Sequence, residues 1–327
     1  MSKYIGRRIN VGFGIEGVRG TPVDVQAFVP KTDFSFEESM EVTIDESSRG
    51  SIADSSDSFV ARRLGQGEIG GNIAVNNFGY LLLATLGEVS TELDTTGAYK
   101  HTFTLKETNT TQSLTTGVND PVLGDLSFPL TSIESLTISA ETGEYISFTA
   151  NIKSKQGVSA SHTVTYDTDY LLRSFDSVFK VADNLAGLES ASAVCLRSFE
   201  ATFTKNLEDD YCLSSNNPAD FINQAFSIEG SFTAVFTNDT FRDYALEGEK
   251  KAISFKMIDE DQTIGATSNP TLTVTLPYCS FTEFSRTQGN DETVTQTLNF
   301  KAHYSQVDDS VGSVELVNTK EEYVYES

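Results

Sequence analysis

Apolar and polar residues alternate one by one along most of this chain. Tyr99, His101, Phe103 and Leu105 are separated by polar neighbours, as are Ile146, Phe148, Ala150 and Ile152. The same pattern runs through Phe199, Ala201 and Phe203, and through Ile228, Gly230, Phe232, Ala234 and Phe236. Ile253, Phe255 and Met257 continue it, then Leu272, Val274 and Leu276. A strand turns successive side chains to opposite faces. This period therefore predicts antiparallel strands with one face in a core and one, rich in Thr and Ser, toward water.

Two segments depart from the alternation in a helical way. After Asn76-Asn77, the residues Phe78, Leu81, Leu82, Thr85 and Leu86 share one helix face; after Asn238-Asp239, Phe241, Tyr244 and Ala245 do so. Asn and Asp suit N-caps because the side-chain oxygen accepts a free backbone N–H. Gly87 and Gly248 stand where a helix end needs a left-handed residue. Three stretches carry no regular period: residues 1–27, the polar segment Thr43 to Phe59, and an acidic tail over 305–327.

The chain also resembles itself. Ile133 to Ser154 aligns without a gap on Phe281 to Ala302, both reading as strand, turn, strand ending in apolar-Lys. Upstream, Gly67 to Gly87 parallels Phe226 to Gly248. Two matches in the same order suggest a tandem duplication, with Ile152 equivalent to Phe300 and Gly71 to Gly230. The expected domains are 1–165, a connection over 166–193, a second fold over 194–304, and the tail. The fold class is mainly β, two tandem β-sandwich or partial-barrel units with one short helix each.

With 327 residues the chain has room for two such units, and its 22 Phe and 12 Tyr can fill their cores. The formal charge of -24 excludes a general nucleic-acid-binding surface, which needs clustered Lys and Arg. An acidic wall can still stand beside a polyanion without holding it. Cys195, Cys212 and Cys279 are too scattered for a disulfide framework and read as reduced core residues. The N-terminal residues lack a signal-peptide apolar run, and no apolar stretch is long enough to span a bilayer. A reducing, soluble compartment is expected.

Motifs for chemistry are weak. Gly65 to Gly70 spells G-x-G-x-x-G but leads into a strand, not a helix N-terminus, so the glycines read as bulge or turn positions. Glu208-Asp209-Asp210 and Asp259-Glu260-Asp261 read as solvated loop acids, without the ligand spacing of a calcium loop. His101 lies on an apolar strand face and reads as a satisfied core or interface residue; His162 and His303 show no partners. No catalytic, cofactor or metal site is expected, and no enzyme activity.

Arg197 to Asp259 resembles the tail tube proteins of long-tailed bacteriophages. The resemblance rests on the strand "FEATFTKN", the "YCLSS" element, "IEGSFTAVFTND" leading into a short helix, and "ISFKM". The N-terminal half is similar through Gly14-Ile15-Glu16, Gly20-Thr21-Pro22, Gly70 to Ile73 and Leu82 to Gly87. The resemblance implies a β-sandwich whose strands join those of neighbours around a lumen, with one helix outside. It implies rings of six such folds stacked into a tube through which DNA passes without specific binding. With two folds per chain, three chains would close a pseudo-sixfold ring. Implied partners are further copies of the chain, a tape measure protein, a tail terminator and baseplate or tail-tip proteins. The implied location is the virion tail, assembled in the host cytoplasm with no membrane.

On this reading the polar strand faces place Ser147, Thr149, Asn151, Thr295, Thr297 and Asn299 toward the lumen. Stacking contacts fall to the irregular stretches, where basic Lys3, Arg7, Arg8 and Arg19 complement acidic Asp45, Glu46, Asp54 and Asp57. The alternatives are another β-rich virion component, such as a capsid decoration or baseplate protein, and a carbohydrate-binding adhesin. The absence of Trp argues against the adhesin.

Overall fold

The computed structural model describes residues 4–325. The protein is mainly β. Its first half holds β1 (Asn10–Ile15), β2 (Ala27–Val29), β3 (Asp33–Phe34), β4 (Glu37–Asp45), β5 (Asp57–Asn72), helix α1 (Val75–Leu86), β6 (Gly87–Thr95) and β7 (Ala98–Leu105). There follow β8 (Leu114–Asp120), β9 (Gly124–Glu141), β10 (Ser147–Ser154) and β11 (Val158–Ser159). The second half opens with β12 (Ser177–Ala182), α2 (Leu185–Leu188), β13 (Ala193–Val194), β14 (Leu196–Asp210) and β15 (Asp220–Val235). It closes with α3 (Thr240–Glu247), β16 (Lys250–Ile258), β17 (Thr271–Arg286), β18 (Thr295–Ala302) and β19 (Ser313–Asn318).

One layer of antiparallel strands runs in the order β4, β5, β10, β9, β14, β15, β18, β17. β9 and β17 are long enough to leave it. The first part of β9 enters a second sheet, β2–β1–β8–β9–β11. The first part of β17 enters a third, β13–β12–β16–β17–β19–β7–β6. Both strands change sheets beside a proline, Pro129 and Pro277, and pairing shifts register at each crossing. Proline has no N–H to give the ladder, so the break falls there.

The two halves share more than strand order. In β9–β10, Ile152 faces Ile133, Asn151 faces Ser135, and Glu134 is left over at a bulge. In β17–β18, Phe300 faces Phe281, Asn299 faces Glu283, and Thr282 is left over. A bulge is a specific irregularity, and it recurs at the aligned position. The glycines behave differently from expectation: Ile152 faces Gly67 as Phe300 faces Gly230. Gly230 thus matches Gly67, and Gly71 matches Ala234. Among the described residues β6 and β7 have no counterpart in the second half, and they extend its outer sheet through β19.

The segments without a sequence period have physical reasons for lacking one. β1 is buried on both faces, so nothing alternates. Residues 166–193 carry β12 and β13, which pair into the third sheet. Residues 305–325 contain β19, followed by Tyr323, which lies buried against α1; Glu326 lies outside the described residues.

The apolar face of the long layer packs into one hydrophobic cluster spanning both halves. The first half fills it with α1, buried along its whole length. A helix apolar on all sides must be enclosed, so α1 is not an outside helix; β7, β19 and the C-terminal segment cover it. The second half fills the matching space with a cluster of rings, Phe199 stacked on Phe255 and Phe300, with Phe179 tilted against Phe199 and Phe232. There α3 lies outside, laying Phe241 and Tyr244 against Phe232 and Phe281. Gly87 and Gly248 end the two helices at φ 92 and φ 68, as left-handed caps require. The N-cap expectation needs correction for α1. Asn76 and Asn77 lie inside its first turn, and their N–H groups donate to the Asp169 carboxylate at 2.8 and 3.1 Å. The expectation needs correction for α3 too: the N-cap Asp239 makes no side-chain cap bond, and Asn238, one residue earlier, accepts from the Thr240 N–H at 3.2 Å.

Candidate assembly surfaces

The long layer turns one face to the core and leaves the other half-exposed. Directly opposed residues of antiparallel strands share a face, so the ladder can be read across the layer. One row runs Asn72, Ser147, Ser139, Glu200, Ser231, Asn299, Glu283. A second runs Gly70, Thr149, Thr137, Thr202, Glu229, Lys301. A third joins Glu68, Asn151, Ser135 and Thr204. Thr297 faces Thr233, and Thr295 faces Val235 at the strand end. Five of the residues expected on a common polar surface, Ser147, Thr149, Asn151, Thr297 and Asn299, thus share one face across both halves, with Thr295 at its edge. Hydroxyl pairs knit it: Thr137 to Thr202 and Thr233 to Thr297, each at 2.9 Å.

Charge on this face is mixed and net acidic. Glu68, Glu200, Glu229 and Glu283 stand against Lys153 and Lys301. Lys301 donates to Glu229 at 2.7 Å, and Lys153 pairs with Glu134 and Asp209 at 3.1 and 3.2 Å. Both lysines are neutralised within the chain, leaving little to grip a phosphate backbone.

The segment expected as a loop over Thr43 to Phe59 is the end of a long ribbon. β4 and β5 stay paired to Asp45 and Asp57, leaving residues 46–56 as its tip. Asp45 organises that tip, accepting from the Ser47 N–H at 2.9 Å, the Ser56 hydroxyl at 2.9 Å and Arg49 at 3.0 Å. Hydrogen bonds from Ser47 and Ser56 hold its carboxyl down at about 2. Glu46, Asp54 and Asp57 remain exposed. So do Met40, Val42, Ile44, Ile52 and Phe59, an apolar load rare on a free surface.

Arg7 and Arg8 sit exposed in a short 3-10 turn, Gly6–Arg8. Lys3 lies outside the described residues. Arg19 needs correction as a surface-contact residue, because its guanidinium is already used. It donates to Asp220 at 2.7 Å, to the Thr111 carbonyl at 2.7 Å and to the Phe221 carbonyl at 3.0 Å, tying the N-terminal segment to β15.

The residues weighed for chemistry have the following places in the fold. Gly65 to Gly70 lies inside β5 rather than in a turn, and the helix that follows, α1, starts only at Val75, with its first-turn N–H groups of Asn76 and Asn77 taken by Asp169. Asp259 and Asp261 are each held by Arg173 at 2.9 Å, with Asp176 as third partner. Among the described residues no group of three or more His, Cys, Asp or Glu is placed to hold a metal ion. No helix of the described chain is long and apolar enough to cross a membrane. His101 is buried, with Nδ1 2.8 Å from the Thr91 hydroxyl and Nε2 2.9 Å from the Lys320 carbonyl. The carbonyl can only accept, so Nε2 carries the proton and Nδ1 accepts from Thr91. His162 and His303 do have partners, the Leu126 carbonyl at 3.1 Å and the Ser280 hydroxyl at 2.7 Å. Of the cysteines only Cys279 is a core residue, its thiol pushed up to about 12 by burial; Cys195 and Cys212 are exposed, and all three are free.

Three polar groups, Glu16 and Lys205 buried and Asp169 half-buried, have no clear sign in the sequence. Glu16 accepts from the Leu130 N–H at 2.7 Å, Gly20 N–H at 2.6 Å, Ser113 hydroxyl at 2.6 Å and Thr115 hydroxyl at 3.0 Å. Asp169 caps α1, and Lys205 reaches the carbonyl of Ala84 at the other end of that helix. The only sequence signal was Glu16, within the Gly-x-Glu element.

The geometry thus offers broad polar, apolar and open-edged strand surfaces rather than a reactive pocket. A search of curated proteins found no match. The model of a protein family described as phage tail tube protein matches residues 6–302. That span covers both halves and every strand of the long layer, and the chain therefore belongs to the phage tail tube protein family.

Proposed function

We propose that this chain is a non-catalytic structural subunit that polymerises into stacked rings, forming the tail tube through which phage DNA leaves. The reading takes the chain as a tandem duplication of one tube fold, with three chains closing a pseudo-sixfold ring. The observation that carries it is the shared strand register of the two halves, down to the bulges at Glu134 and Thr282. Two like units in one continuous layer behave as two neighbours of a ring already joined. The polar face with Ser147, Thr149, Asn151, Thr295, Thr297 and Asn299 is then the lumen wall. Its excess of Glu over free Lys keeps DNA from adhering.

Stacking along the axis falls to the β4–β5 ribbon with Asp45, Glu46, Asp54 and Asp57, and to Arg7 and Arg8 of the next ring. The exposed apolar residues of the ribbon support this, since burial against a neighbour would remove them from water. By family membership its partners are further copies, a tape measure protein, a tail terminator and baseplate or tail-tip proteins. Assembly would occur in the host cytoplasm, and the product would sit in the virion tail.

Electron microscopy of the purified protein at high concentration tests the proposal. Rings or tubes whose averages show three chains and six similar lobes are expected. A protein that stays monomeric under all assembly conditions, or rings of six chains, would overturn it.

A further inference from the structure

The seam between the halves is a template for a contact between chains. Inside the chain, β14 pairs with β9 so that Thr204 faces Ser135, Thr202 faces Thr137 and Glu200 faces Ser139. The strand that matches β14 in the first half is β3 with β4. Both lie against β5 as β14 lies against β15: Phe34 faces Ile69 as Phe199 faces Phe232, and Glu37 faces Gln66 as Thr202 faces Glu229. The strand that matches β9 in the second half is β17. These two are the outermost strands of the long layer, and among the described residues neither has a strand partner on its outer side: β3 and β4 pair with β5 alone, and β17 beyond Ser280 pairs with β18 alone.

Both edges show the mark of a missing neighbour. β9 continues to Glu141 where β14 supports it, whereas β17 stops at Arg286, which matches Ile138. β14 is continuous through Glu200 and Ala201, whereas the matching Ser35 and Phe36 interrupt β3 and β4. The interruptions fall where the partner strand is absent. Exposed backbone at a sheet edge is a ready template for another chain.

We propose that a second copy of this chain lays its β3–β4 edge on the outer side of β17, in the register of the internal seam. Ser39 then opposes Glu283, Glu37 opposes Ser285, and Ser35 opposes Thr287. The proposal rests on the ring reading above and adds its strand register. Charge supports it in part. A slip that set Glu37 against Glu283 would oppose two acids, and like charges directly across a ladder destabilise. The inward face supports it too. The internal seam packs Phe203 on Leu136, but the matching inter-chain pair is Glu38 on Phe284, a polar edge suited to a chain that must stay soluble before it meets its neighbour.

The rung Glu37–Ser285 matches Thr202–Thr137, whose hydroxyls lie 2.9 Å apart, so side chains there touch. Directly opposed residues lie about 4.5–5.5 Å apart at Cα, within disulfide reach, whereas a two-residue slip opens roughly 7–8 Å. In a Cys195→Ser, Cys212→Ser background, Glu37→Cys and Ser285→Cys are purified separately, mixed and mildly oxidised. A reductant-sensitive dimer is expected in the mixture, at least about fivefold above either variant alone. It should also exceed mixtures of Glu37→Cys with Glu283→Cys or with Thr287→Cys. Ser35→Cys with Thr287→Cys, one rung along in the same register, should cross-link as well and serves if position 37 impairs folding. Preferential cross-linking of a slipped pair overturns the proposal. So does an absence of cross-links in both in-register pairs while microscopy shows rings, a result that leaves the ring reading standing. No rings and no cross-links overturn both.

Discussion

Asp169 and Lys205 hold opposite ends of α1. The carboxylate of Asp169 takes the N–H groups of Asn76 and Asn77, and the amine of Lys205 reaches the Ala84 carbonyl and, at 2.7 Å, the Thr111 hydroxyl. Each has the sign the helix dipole favours at its end. Lys205 comes from β14, so the second half closes a helix of the first. Burial opposes charge on both, and their titrations can be read as stability.

Desolvation raises the Asp169 carboxyl from 3.8 to about 6. As pH rises through that window the unfolded chain loses this proton first, so the folded state loses stability until about pH 6 and no more above it. Asp169→Asn cannot titrate. The stability of wild type relative to Asp169→Asn should therefore fall by on the order of 2–3 kcal/mol between pH 4 and 7. Urea unfolding of both proteins across that range measures it; a flat difference would count against the buried carboxylate. Asp169→Ala does not titrate either and also removes the cap, so its cost should follow the same slope, larger by about 2–3 kcal/mol at pH 4 than at pH 7.

Lys205 is the opposite case. Burial first, and the nearby Arg19 guanidinium second, push its amine down to about 7 from 10.5. Between those values the unfolded chain keeps the proton and the folded chain sheds it. The contribution of this group thus grows as pH rises from about 7 to 10.5 and fades as pH falls to 7. Lys205→Met removes the slope. It should be clearly destabilising near pH 10, where the neutral amine still donates to Ala84, and much less so at pH 6.5. Parallel denaturation curves for wild type and variant at the two pH values decide the matter.

Glu16 carries a third test. Its carboxylate accepts four hydrogen bonds, one from Leu130, which sits at φ 59 where β9 changes sheets. Glu16→Gln keeps the shape, but each carboxylate oxygen takes one backbone N–H, from Leu130 or Gly20, so the amide NH2 must meet a group that can only donate. At least one buried donor loses its acceptor, at a cost of roughly 2–4 kcal/mol. Because the Leu130 bend sits between the long layer and the outer sheet, hydrogen exchange should rise first around residues 114–131. A variant as stable as wild type would show that the bend holds itself.

The strands and their inward faces were legible because half-buried strands must alternate. The helix ends at Gly87 and Gly248 were legible because positive φ selects glycine. What stayed hidden depends on residues far apart in the chain. β1 lost its period through burial on both faces. The cap of α1 arrives from Asp169, which no local pattern links to Asn76. Residue type pairs Gly230 with Gly71, but a shared partner pairs it with Gly67, and only register names the partner. Arg19 read as a free surface charge because nothing local reveals Asp220. The polar surface fared better, since alternation puts Thr149 and Thr297 opposite the core whatever the partners are.

The last prediction concerns the C-terminal segment, which lies beyond the matched family span and locks onto α1. The Tyr323 ring rests on Gly79, where an added Cβ would lie 2.1 Å from the ring. The ring cannot easily retreat. Its hydroxyl donates to the Asn76 carbonyl at 2.7 Å and accepts from Asn318 at 2.8 Å, and His101 stacks edge-on at 4.8 Å between centroids. Alanine in place of a mid-helix glycine would ordinarily gain about 1 kcal/mol. Here overpacking costs about 1–3 kcal/mol and should win. Gly79→Ala is thus expected to destabilise by on the order of 1 kcal/mol, and Gly79→Val by more. Tyr323→Ala opens the space and removes the clash. In the double variant Gly79→Ala, Tyr323→Ala the alanine should regain its helical advantage, so the double variant should be more stable than Tyr323→Ala alone. That change of sign, measured by thermal or urea unfolding, identifies the ring as the cause. If Gly79→Ala stabilises the otherwise unaltered protein, the segment is not seated on α1 in the way described.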